Sequence, residues 1–141
     1  LVQAAKAYRH GSATLLGQLG LYPGQDQILK ALAQEDGQTM SALADALSVQ
    51  PPTITKMVTR LSAARLVDRR RSLRDGRSSS VFLTEKGTLL IEQLDQRLKH
   101  MELNALKGMS DKDRRRLRKA LRQLEKNLLN DHHDNDPPEI D

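Results

Sequence analysis

Between Gln50 and Thr84 the chain gathers hydroxyl and cationic side chains in a pattern suited to holding a polyanion. Thr53, Thr55, Lys56, Thr59 and Arg60 fall within eight residues that contain no Asp or Glu. Just downstream, Arg65, Arg69, Arg70, Arg71, Arg74 and Arg77 are opposed only by Asp68 and Asp75, a net of +4. Lys can bond guanine acceptors or a phosphate, and Thr can bond phosphates or meet a thymine methyl. A guanidinium at the tip of a turn, as Arg77 would be, suits a narrow minor groove where negative potential is concentrated. Asp75, two residues earlier, is placed to orient Arg77 through a bidentate pair, since a carboxylate facing nucleic acid would itself be repelled. Arg74 adds a phosphate contact in this reading, and Arg60 touches backbone more than bases.

Each of these residues also has a plainer reading. The threonines and Lys56 would sit equally well on a solvated helix face, and Asp75 with Arg77 would make an ordinary surface pair. Ser41 and Gln50 stand at expected helix N-termini, where free N–H groups can receive a phosphate oxygen, or where the two side chains simply cap. The absence of any carboxylate from the exposed face of the Thr53–Arg60 segment favours the nucleic-acid reading.

The elements that must position these residues are legible from spacing. Ile54, Met57, Val58 and Leu61 lie at i, i+3, i+4 and i+7, one apolar helix face, with the hydroxyls and cations opposite. Pro51 or Pro52 starts that helix, and the residue before a proline is pushed out of the α region. Ser48-Val49-Gln50-Pro51 therefore specifies a tight connection to a preceding helix with Leu43, Ala44 and Leu47 inside, capped by Thr39 or Ser41. A second helix carries Ile28, Leu29 and Leu32, with Pro23 in its first turn and Glu35-Asp36-Gly37 at its end. A first helix occupies residues 1–20, its apolar residues including Val2, Ala5, Ala13, Leu15, Leu16 and Leu19.

From Leu66 the period changes to that of strands. Leu66-Val67 and Val81-Phe82-Leu83 flank the turn chemistry of Arg74 to Ser80, which predicts a β-hairpin. Arg69, Arg70 and Arg71 alternate across the first strand, so at most two share a face. Such a hairpin is marginal alone and must lean on the helices or on a partner. After Thr84, a candidate cap, Leu90, Leu94, Leu98, Met101 and Ala105 mark a long helix running to about Lys107. Gly108 and Ser110-Asp111 interrupt it before a last helix with Leu117, Leu121, Leu124 and Leu128 on one face. Arg114, Arg115, Arg116, Arg118, Lys119 and Arg122 flank that stripe and read as its solvated side. Two long amphipathic helices at the end of so small a chain call for a partner to cover them, which points to a dimer.

The fold class is mainly α with a small β-hairpin wing: a winged helix-turn-helix followed by long dimerisation helices. With 141 residues, 38% of them apolar and three aromatic, the chain makes one helical domain with an aliphatic core. The segment 131–141 holds five acidic residues and no Lys or Arg, and is expected to be a disordered acidic tail. Setting those five charges aside doubles the overall net of +5 to about +10, a field that favours polyanions. There are no cysteines, so disulfides and thiolate metal sites are excluded. His132-His133-Asp134 makes a poor metal site without a rigid supporting shell, and no metal or cofactor is implied. No bilayer-spanning run or secretory signal is visible, so a cytoplasmic location is expected. No phosphate-binding Gly-rich loop, HExxH or nucleophile elbow occurs, and the reading is not that of an enzyme.

These residues resemble the MarR family of bacterial transcription regulators. Asp75-x-Arg77, Leu83-Thr84 and Gly87 are similar to that family's wing signature. Ser41-Ala42-Leu43-Ala44, Leu61, Leu66-Val67-x-Arg69 and the Leu21-Tyr22-Pro23-Gly24-Gln25 entry to the second helix also fit, so the likeness reaches to about Asn130. It implies one domain over 1–130, with a DNA-binding lobe at 21–84 and dimerisation helices at 1–20 and 85–130. It further implies a homodimeric repressor that binds a pseudo-palindromic double-stranded DNA site and answers to a small-molecule effector. One departure stands out. Arg65 occupies a position where such proteins commonly carry Gly, and must either take a positive φ or end the helix differently. The reading from a different class is a winged-helix module that binds an acidic protein through its basic wing.

Overall fold

Two prolines at the start of one helix, and Ser48 and Arg65 in the left-handed conformation on either side of it, account for how the polar face of residues 53–60 is presented. In the computed structural model residues 1–71, 76 and 78–134 are described, the last four by main chain alone. Helix α1 spans Val2–Gln18, α2 Gln25–Gln34, α3 Met40–Leu47 and α4 Pro51–Ala63. Strands β1 (Gln38–Thr39), β2 (Val67–Arg71) and β3 (Ser79–Leu83) form one antiparallel sheet in the order β1-β3-β2. Helix α5 spans Glu85–Ala105 and α6 spans Asp111–Asp134. The chain is thus mostly helical with a small three-stranded sheet. It divides into a compact unit of Leu1–Met101 and a second that begins at Glu102.

The core of the first unit is aliphatic. Ile28, Leu29 and Leu32 of α2 meet Leu43 of α3, Ile54, Val58 and Leu61 of α4, and Leu94 of α5. Val67 and Val81, facing each other's strands in the hairpin, are fully buried in the same cluster, so the wing leans on the helices as its marginal stability requires. Met57 is only half-buried, and α1 contributes just Leu16 to the buried set, with Val2 exposed and Ala13 likewise. The apolar stripe expected along the whole first helix is therefore covered by this chain only near its C-terminal end.

Several local expectations change. Pro23 does not enter α2. It occupies the second position of a Tyr22–Gln25 turn, closed by Gln25 N–H to the Tyr22 carbonyl, with Gly24 at φ 94° in the third. That is the type II arrangement, which wants proline then glycine. The third helix is capped by Thr39, whose Oγ1 accepts from Ala42 N–H at 3.1 Å; Ser41 sits inside the first turn. The third strand, β1, was not anticipated. It is held by Gln38, whose Nε2 donates to the carbonyls of Ala31 and Glu35, and by Asp36, whose Oδ1 accepts from Leu83 N–H at 2.8 Å. Helix α6 continues to Asp134, four residues beyond the boundary expected at Asn130.

Arg65 does take the left-handed conformation, with φ 59°. Its N–H bonds the Ser62 carbonyl and that of Leu66 bonds Leu61, closing α4 as a Schellman motif over the buried Leu61–Leu66 pair. Ser48, at φ 53°, closes α3 with the same pair of bonds from Ser48 and Val49. The Arg65 side chain is exposed, so Arg65→Gly relieves backbone strain without opening a cavity. It should raise stability by up to about 1 kcal/mol, read as a higher urea midpoint at an unchanged m value.

Candidate nucleic-acid interface

Helix α4 buries one face and offers the other. Gln50 is its N-cap residue, with no side-chain cap bond, and Pro51 and Pro52 fill its first two positions, where a missing N–H costs nothing. Ile54, Val58 and Leu61 anchor it, which leaves Thr53, Thr55, Lys56, Thr59 and Arg60 exposed together. Lys56 and Thr59 occupy the middle of that face, opposite the buried stripe.

Two grooves flank this ridge. On the α3 side, a groove of about 570 Å³ brings Ser41, Gln50 and Thr55 to one place, together with Asp45 and Ser48. On the α2 side, a groove of about 450 Å³ gathers Thr53, Lys56 and Arg60 with Tyr22 and Gln25. The seven candidates from helices α3 and α4 and their connection thus fall on one continuous ridge with its two flanks. Within the ridge, Thr55 Oγ1 donates to the Pro51 carbonyl at 2.9 Å and Thr59 Oγ1 to the Thr55 carbonyl at 2.7 Å. Both hydroxyl protons are spent inside the helix, so these two threonines turn lone pairs and methyl groups outward and would donate to a phosphate only after a rotamer change.

Two of the wing arginines, Arg69 and Arg70, are held along the strands. Arg69 Nε donates to Ser79 Oγ at 2.9 Å, and Ser79 is itself buried. The Arg70 guanidinium stacks 4.4 Å from the Phe82 ring centroid, on the sheet face opposite the buried Val67 and Val81. Phe82 in turn lies against Gly37, where a Cβ would come within 2.8 Å of the ring. Arg70 is therefore pre-oriented by an aromatic platform built on β3 and the α2–β1 turn. Arg74, Asp75 and Arg77 lie outside the described residues. Gly76 between them has φ 63°, a left-handed turn conformation.

Sequence reasoning missed two residues that shape this surface. Phe82 and Tyr22 make up two of the three aromatics, and each carries a guanidinium, that of Arg60 lying 5.4 Å from the Tyr22 centroid. The pairing needed the fold, because Tyr22 precedes α2 while Arg60 ends α4. No cluster of three His, Asp or Glu side chains suited to a metal occurs among the described residues. No described helix is long and apolar enough to cross a membrane.

Comparison with known proteins decides the family. The profile of the MarR family matches residues 21–79, which cover the α2-to-wing segment. Residues 21–79 are a MarR-family segment. It is 32% identical over 114 residues to the HTH-type transcriptional regulator TtmR of Methylorubrum extorquens, a match covering 81% of this chain and 57% of TtmR. It is 27% identical over 121 residues to the HTH-type transcriptional repressor IacR of Pseudomonas putida, covering 86% of this chain and 72% of IacR. A mutant of MepR from Staphylococcus aureus, solved bound to an oligodeoxyribonucleotide, shares the fold at a TM-score of 0.70 and 23% identity, over 89% of this chain and 93% of that one. The chain is accordingly a DNA-binding transcription regulator. Its α3–turn–α4 unit is the helix-turn-helix, and β2 and β3 are the strands of its wing.

Proposed function

We propose that this regulator is a homodimeric, ligand-responsive repressor acting on a pseudo-palindromic duplex site. Helix α4 enters the major groove in this reading, and the wing reaches the adjacent minor groove. The observation that carries it is the exposed face of α4, which bears Lys56 and Arg60, three threonines and no carboxylate, and is continuous with an Arg-rich hairpin. Lys56, central on that face, is assigned to base edges or a phosphate. The outward methyls of Thr55 and Thr59 suit thymine. Ser41 and Gln50 flank the ridge where backbone phosphates run, and Arg77, oriented by Asp75, is assigned to the minor groove with Arg74 on a phosphate.

The homodimer rests on uncovered apolar surface. None of residues 111–130 of α6 is buried, and Leu121 and Leu128 of its leucine stripe are each about half exposed. Two symmetric recognition helices would then meet half-sites about one helical turn apart. A ligand shifts such a dimer only by preferring one lobe spacing to another. A cleft of about 420 Å³ between Leu19, Ala64, Leu66, Lys86 and Leu90 lies where the ends of α1 and α4 meet α5, a place from which a bound molecule could bias the lobe. The repressor assignment follows the name of IacR.

The test is fluorescence anisotropy on duplex from the chain's own upstream region against a scrambled duplex. Specific binding tighter than scrambled by about 10³ or more is expected. Lys56→Ala should lose about 1–3 kcal/mol of discrimination at one base pair of each half-site, and Arg77→Ala should weaken the upstream duplex more than the scrambled one. Absence of binding to either duplex at low salt would sink the reading and favour an acidic protein partner.

A further inference from the structure

We propose that the groove between the Tyr22–Gly24 turn and α4 seats a backbone phosphate of duplex DNA, and that Tyr22 is the residue that positions Arg60 to hold it. The proposal deepens the DNA reading above and rests on it.

The groove is lined by Tyr22, Pro23, Gln25, Thr53, Lys56 and Arg60, among others. Its lining holds two cations, a phenol, a hydroxyl and no carboxylate. The nearest acid on α2, Asp26, is used elsewhere: its carboxylate accepts from Gly24 N–H at 3.2 Å and pairs with Lys30 at 3.8 Å. Lys56 and Arg60 are four apart on one helix, a like-charge pair that disfavours the helix. Concentrated and unneutralised positive charge of this kind calls for an anion.

A single exposed tyrosine is ordinary on a protein surface. Tyr22 differs in how firmly its backbone is held. Leu21 before it is buried, its own N–H donates to Oε1 of the buried Gln25 at 3.0 Å, and its carbonyl accepts from Gln25 N–H. Tyr22 as a whole is left 63% exposed on this turn, with the Arg60 guanidinium over its ring. An unsupported arginine carries considerable rotamer entropy, which binding would have to remove. The cation–π contact with the ring restrains the guanidinium, whose N–H groups can still donate to phosphate oxygens. The groove lies on the flank of the recognition helix, beside the Lys56–Thr59 ridge, and the flank of a helix in the major groove meets the phosphate wall rather than base edges.

The test measures affinity for the upstream and scrambled duplexes over a range of salt, with wild type, Tyr22→Phe, Tyr22→Ala, Arg60→Ala and the Tyr22→Ala/Arg60→Ala double variant. Tyr22→Ala should weaken both duplexes by the same factor, about 3- to 10-fold, while Tyr22→Phe keeps wild-type affinity and the melting temperature of each variant is unchanged. Arg60→Ala should make the slope of log K against log salt shallower by about 1. In the Arg60→Ala background, Tyr22→Ala should cost nothing further. Tyr22→Ala within twofold of wild type, or an undiminished loss in the Arg60→Ala background, would overturn the proposal with the DNA reading intact. Poly-glutamate competing as well as scrambled duplex would reassign the groove to acidic chains and equally overturn it. Wild type that binds neither duplex would remove the DNA reading itself, before any variant is compared.

Discussion

Gly87→Ala should destabilise the protein by about 3 kcal/mol or more, lowering the melting temperature by on the order of 10 °C for a chain of this length. Helix propensity alone points the other way. Gly87 is the third residue of α5 without a positive φ, and Ala in a helix interior is favoured over Gly by about 1 kcal/mol. Sterics reverse the sign. A Cβ at Gly87 would run into the main-chain carbonyl oxygen of Leu66, with Leu83 Cδ2 also only 3.1 Å away. A carbonyl cannot swing away as a side chain can, and this one accepts from Thr84 N–H at 3.2 Å. Thr84 itself accepts from Gly87 N–H at 3.0 Å and donates its hydroxyl to the Arg65 carbonyl at 2.7 Å. Moving α5 to make room would therefore break the joint between the end of α4, the first wing strand and α5 together. Gly17→Ala in α1 is the control: a Cβ there meets nothing within 4 Å, so stability should hold or rise by up to about 1 kcal/mol. Thermal melts of the two variants should move in opposite directions; a Gly87→Ala melt at or above wild type would show that the joint yields.

In the proposed homodimer, Leu121→Glu/Leu128→Glu should leave a monomer and cost about 10²- to 10⁴-fold in operator affinity, because two linked half-site contacts become one. Leu117, Leu121, Leu124 and Leu128 recur at i, i+4, i+7 and i+11, a single stripe along α6. Carboxylates in an apolar helix seam would lose hydration with no partner, and they separate the copies instead. Both side chains are about half exposed within one chain, so the Leu1–Met101 unit keeps its core and its melting transition. Sedimentation velocity reads the mass, and anisotropy on full and half operators reads the affinity. A variant that still sediments as a dimer would place the subunit contact elsewhere, and a monomer that keeps full operator affinity would remove the need for two recognition helices.

What the sequence determined by itself was whatever depends on residues close together in the chain. The i, i+3, i+4, i+7 apolar set of α4 declared which of its side chains would be exposed, and Pro51-Pro52 declared where it begins, because helical period and proline geometry are local. The wing was legible for the same reason, as a change of period flanking turn residues. The exact setting of Pro23 was misjudged because proline suits both a first helical turn and the second place of a type II turn, and Gly24 selected the latter. Tertiary structure decided whatever joins distant segments. Strand β1 is only Gln38–Thr39, too short to carry a period, and forms because Asp36 and Gln38 bond outside it. The stacking of Arg60 on Tyr22 and Arg70 on Phe82, and the demand for glycine at position 87, arise only where separate elements pack. No spacing along the chain encodes those contacts; they are set by the relative placement of helices and strands, which the buried aliphatic core imposes.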